Sequence, residues 1–138
     1  MFTSLTALTW LAVLIGTVVS GGLAGVYFTF VTPKAYAVAL GRVGKEPAPG
    51  NAVSNFGPVV CILVTVITSA VLIRALDITT IGPAVVFGLV VGVGYLTAMT
   101  FQIAINPNFP RPILYGLINA PFFIVSSVID SVILALLH

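Results

Sequence analysis

A chain of 138 residues holds one compact unit. Only 6% of it is charged and 59% is apolar, against roughly 25% charged in an average soluble domain; a surface so poor in charge must face lipid rather than water. The net charge of +2 is too small an excess to point to nucleic acid, and a lone cysteine, Cys61, leaves no internal disulfide.

Four stretches reach the ~20 mostly apolar residues that cross a hydrocarbon core. The first runs from about Thr6 to Val31. It has no basic residue before Lys34, and its apolar run exceeds the ~7–15 residues of a signal-peptide core. It therefore reads as a retained helix, although Ala35-Tyr36-Ala37 resembles a cleavage triplet. Within it Ala12, Gly16, Ser20 and Ala24 recur every fourth residue beside Gly21 and Gly25. Small residues at this spacing let helix backbones approach closely.

The connection from Thr32 to Gly57 has two halves. From Pro33 to Lys45, Tyr36, Leu40 and Val43 share one helical face and Lys34, Arg42 and Lys45 the other. That pattern predicts a short basic amphipathic helix lying among headgroups, or a solvated continuation of the first span. From Glu46 to Asn55, Pro47, Pro49, Gly50 and two asparagines predict a loop.

The second span is expected from Pro58 to Leu76, with Arg74 near its far end. The third runs from Pro83 to Ile105, with a second small-residue seam at Ala84, Gly88 and Gly92 and with Gln102 near its end. The two seams suit each other within the monomer, or one of them suits a homodimer. The fourth runs from Ile113 to Leu137, and Pro121 should bend it. Pro58, Pro83 and Pro112 stand where a helix begins without needing an N–H bond. The run Asn106-Pro107-Asn108-Phe109-Pro110-Arg111-Pro112 makes a tight connection. Backbone groups in lipid must be satisfied internally, so the spans are helices. The predicted fold is all-α: one domain, residues 1–138, built as a four-helix transmembrane bundle.

Charge distribution orients the bundle. Lys34, Arg42 and Lys45 lie in the first connection and Arg111 in the third; the second offers Arg74 offset by Asp77. The positive-inside rule puts the first and third connections in the cytoplasm and both termini outside.

Ionisable groups inside a span are costly and often functional. Counted from the cytoplasmic side at 1.5 Å per residue, Arg74 beyond Pro58 and Asp130 beyond Ile113 both lie roughly 24–26 Å deep. That depth suggests an interhelical ion pair, either a structural clasp or a proton or cation site. Asn119, Ser126 and Asp130 fall on one helical face, with Gln102 at about the depth of Asn119. These groups would bond across helices and hold the bundle together, or line a small polar cavity.

No metal, haem or iron–sulfur ligand set can be assembled from one histidine and one cysteine. No catalytic constellation is visible, no cofactor motif is present, and Gly92-x-Gly94 lies mid-span rather than after a strand. This inventory points away from an enzyme.

Asn106-x-x-Phe109-x-Arg111-Pro112, followed by Leu117-Ile118-Asn119-Ala120, resembles the C-terminal signature of the DUF1761 family. The order Gly21 to Gly25, Tyr27, then Lys34-Ala35-Tyr36 is similar to that family's first span, while Pro121-Phe122 stands where the family has Gly-Tyr. The resemblance implies a four-span protein of a bacterial inner membrane and brings no reaction or ligand with it. Three function classes follow. The first is an accessory or assembly protein acting by helix packing, as a homo-oligomer or beside a larger membrane complex. The second is a small homodimeric transporter or channel using the polar face of the fourth span. The third is a binder or enzyme for a lipid-like molecule.

Overall fold

A computed structural model of the protein describes residues 9–46 and 49–137. Four helices in it are long and apolar enough to cross a membrane: α1 (Trp10–Val31), α3 (Ala52–Ala75), α4 (Ile81–Ala104) and α5 (Pro112–Leu136). A short helix, α2 (Pro33–Ala39), follows the first span. Among the described residues there is no strand. The chain is therefore an all-α, multi-pass membrane protein.

The boundaries depart from expectation at informative places. Thr6 to Leu8, expected in the first span, and Pro47, expected in a loop, lie outside the described residues. The second span begins at Ala52, before Pro58, because Asn51 and Ser54 form a capping box. The Asn51 side chain accepts from the Ser54 N–H at 2.8 Å, and the Ser54 hydroxyl accepts from the Asn51 N–H at 2.8 Å. This reciprocal pair satisfies two donors that a helix start leaves orphaned. Pro58 thus sits inside the helix, and Ala52 to Gly57 is helical rather than loop. Pro112 does open its helix, and α5 continues through Pro121 to Leu136.

The short helix after the first span is present but stops at Ala39, because Gly41 turns the chain at a φ of +64°, where a side chain is disfavoured. Lys34 is in the helix and exposed; Arg42, Val43 and Lys45 lie beyond it and are exposed. Ala39 is fully buried, and α2 packs on α5.

Two spans contain π-helical stretches. Tyr27–Val31 ends α1, and Val90–Thr97 interrupts α4 around Gly92 and Gly94. Such widened turns mark places where backbone bonds are rearranged, frequently at functional sites.

The fourth span, α5, is central: it packs against α1, α2, α3 and α4, and α1 also packs against α3. The small-residue seam of α4 is used inside the monomer, against α5. A Cβ at Gly88 would sit 2.6 Å from the Val128 Cα, and one at Gly92 2.9 Å from the Ile124 Cα. The two predicted seams therefore do not join each other. On α1 the seam divides. Ala12, Gly16 and Ser20 are buried, whereas Gly21 and Gly25 have no atom within 4 Å of where a Cβ would stand.

Packing is uneven along α3. Its buried residues, Val66, Ser69, Ala70 and Ile73, all belong to its second half. Val53, Phe56, Val59 and Val60 in its first half are exposed. The apolar core, with Val13, Val66, Ile73, Ala84 and Leu134, lies toward that second half. Toward the other end, where the basic connections meet and Gly41 approaches Pro110, the helices leave space.

Candidate functional site

That space is a cavity of about 420 Å³ between α1, α3 and α5, with Tyr36 of α2 and Leu96 of α4 also on its wall. Binding pockets for small molecules run from roughly 300 to 1,000 Å³. Much of its wall is apolar, including Ala24, Ile62, Phe122 and Phe123. Polar groups come from Ser20 of α1, Thr65 and Ser69 of α3, and one face of α5. Asn119, Ser126 and Asp130 recur there at near-whole turns, and all three line the cavity and are buried.

Asp130 is 6% exposed. Its Oδ2 accepts a hydrogen bond from the Ser20 hydroxyl of α1 at 2.7 Å. Its Oδ1 has no partner. This oxygen fits beside Gly16 because that position lacks a side chain; a Cβ there would stand 3.2 Å from Oδ1 and 3.2 Å from the Val66 Cγ1. Gly16 and Ser20, read from sequence as packing residues, thus also shape and bind the carboxyl group.

The expected Arg74–Asp130 ion pair is not formed. Gly16 sets Val66 beside Asp130, and Arg74 stands about two turns further along α3, ~12 Å at 1.5 Å per residue. The depth count began at Pro58, whereas the helix begins at Ala52. Gln102 is exposed and does not join the cavity.

The polar stripe of α5 bonds mostly within its own helix. The Asn119 amide donates to the Tyr115 carbonyl at 2.7 Å, and the Ser126 hydroxyl to the Phe123 carbonyl at 3.4 Å. Of the two roles expected of Asn119 and Ser126, bonding across helices or lining a cavity, their positions match the second. The bonds that do cross between helices include Ser20 to Asp130 and the Tyr27 hydroxyl to the Ile118 carbonyl at 2.8 Å.

At the basic end the cavity meets an aromatic cluster. Phe28 stands edge-on to Tyr36 and Phe122, and Tyr36 lies beside Tyr115 with their hydroxyl oxygens 3.4 Å apart. Burial, helped by the Tyr115 hydroxyl, holds the Tyr36 phenol well above its usual ionisation range. Sequence reasoning missed these aromatics as a group. Their spacing shows no period, since they come from three elements, α1, α2 and α5. The Thr97 hydroxyl, in the π-helical stretch of α4, is also buried without a partner, but it does not line the cavity.

Among the described residues no group of three or more His, Cys, Asp or Glu comes together. The site thus offers one carboxyl group, hydroxyls and an amide at the side of an apolar chamber.

The family model for DUF1761, a protein of unknown function, matches residues 11–135. No curated protein and no solved structure matches the chain.

Proposed function

The chain belongs to the DUF1761 family, and we propose that it is a membrane-embedded binding protein for a small lipophilic molecule. The observation that carries this reading is the cavity of about 420 Å³, largely apolar and marked by one buried carboxyl group. The carboxyl group lines the cavity beside the Ser20 hydroxyl and gives a lipophilic ligand one polar anchor in a mostly apolar wall. The exposed first half of α3 gives the chamber a flank toward the bilayer, from which a lipophilic molecule arrives.

Binding ranks above a purely packing role because the seam at Gly88 and Gly92 is already occupied by α5. An oligomer or a larger complex keeps one supporting observation, the open glycine face at Gly21, Gly22 and Gly25. We propose further, from the positive-inside rule, that the basic connections face the cytoplasm of a bacterial cell and both termini lie outside.

The test is mass spectrometry of the protein released from its own membrane, beside Ala24→Phe, which fills the chamber. A lipophilic mass carried by the wild type and lost from a folded Ala24→Phe variant is the expected result. Equal ligand content in both proteins would show that the chamber is not the binding site.

A further inference from the structure

We propose that the molecule held in this cavity is a lipophilic amine whose ammonium group rests on Asp130. The inference deepens the binding reading above and rests on it.

The carboxyl group lies against a neighbouring helix and its packing partner. From α1 it meets Ser20 and Gly16, and from α3 Val66 lies beside Gly16. Ser20 supplies one hydrogen bond, and Oδ1 receives none. Among the described residues no basic side chain pairs with it, and Arg74 is about two turns away along α3. A carboxylate inside a bilayer is normally found with a partner cation or donor. Here the protein provides one neutral donor and no cation: Oδ1 is enclosed beside Gly16, and the carboxyl group lines the cavity together with Ser20.

The chamber beside it decides what kind of partner fits. From Asp130 to Asn119 along α5 is about 16 Å at the helical rise. Phe122 and Phe123 stand between them, facing Ile62 of α3 and Leu96 of α4 across the space. An apolar body fills this part, and aromatic faces there also favour a cation. The carboxyl group repels an anionic head. A bare metal cation is a poor match, because hard cations take six or more oxygen ligands and the site gathers one carboxyl with a few hydroxyls. An ammonium carries donors and a positive charge, and so supplies from the cavity the counter-charge that no side chain gives this carboxyl group.

The experiment uses the full-length protein in phosphatidylcholine nanodiscs, with empty nanodiscs as the blank. Decylamine, decanol and decanoic acid are titrated by calorimetry into wild type, Asp130→Asn and Ala24→Phe. The wild type should bind the amine at least about tenfold more tightly than the alcohol, with the acid weakest. Asp130→Asn should bring the amine to within about twofold of the alcohol, and Ala24→Phe should remove binding of both. Equal binding of amine and alcohol by the wild type, both lost in Ala24→Phe, would overturn the amine assignment and leave the cavity reading standing. Binding that is unchanged by Ala24→Phe would overturn both. Should Asp130→Asn fail to fold, the wild-type ranking of the three probes decides the question by itself.

Discussion

Replacing Gly88 with alanine tests how closely α4 and α5 cross. The new methyl would lie 2.6 Å from the Val128 Cα and 2.8 Å from the Ser127 carbonyl oxygen. Carbon atoms normally rest ~3.5–4.0 Å apart. Both obstacles are backbone, so no rotamer change relieves them, and the helices must separate by ~1 Å. Overpacking of this kind costs about 1–3 kcal/mol. Alanine's better helix propensity returns about 0.5–1 kcal/mol. Because both obstacles are backbone the cost falls in the upper part of that range, about 2–3 kcal/mol, and the expected net effect of Gly88→Ala is a loss of about 1–2.5 kcal/mol. Gly25→Ala is the control: nothing lies within 4 Å of its Cβ position, so the helix-propensity gain should stand alone and stability should hold or rise. Denaturant titration in mild detergent, followed by far-ultraviolet circular dichroism, compares the midpoints. A Gly88→Ala midpoint equal to the wild type would refute the close crossing. A loss in Gly25→Ala as large as that in Gly88→Ala would show that the open face of α1 is packed against another chain.

Two further predictions concern the basic end of the bundle. Asn51→Ala removes one half of the capping box and should cost about 1 kcal/mol, read as faster amide hydrogen exchange over 52–57 while exchange in the second half of α3 is unchanged. Tyr36 gives a pH dependence whose sign is fixed by its raised ionisation range. Above about pH 10 an unfolded tyrosine loses its proton while the buried one keeps it, so the folded form is progressively disfavoured. The stabilisation is complete below pH 10 and declines as pH rises above it. Tyr36→Phe should flatten the alkaline limb of the stability curve, and an unchanged limb would mean that the phenol is not buried.

The sequence alone determined the membrane class, the four spans, the helical fold and the polar face of α5. These follow from properties read along one chain: the length of apolar runs, proline positions, and a repeat near the helical period. Family membership was legible too, in the Asn106 to Ala120 stretch, and the match over residues 11–135 bears it out. The start of α3 was misplaced because Pro58 is a stronger signal in sequence than Asn51 with Ser54, although the cap is the pair that organises the helix start. Only the tertiary structure decided the partners. Which group meets Asp130 depends on how far α1 and α3 slide along α5, and that offset is set by small-residue contacts such as Gly16 against Asp130 and Val66. A shift of two turns leaves the periodicity of each helix unchanged, yet it takes Arg74 away from the carboxyl group and puts Ser20 against it. The cavity likewise exists because α3 packs through its second half and not its first. No single segment carries that information, since a void is a property of how several helices fail to meet.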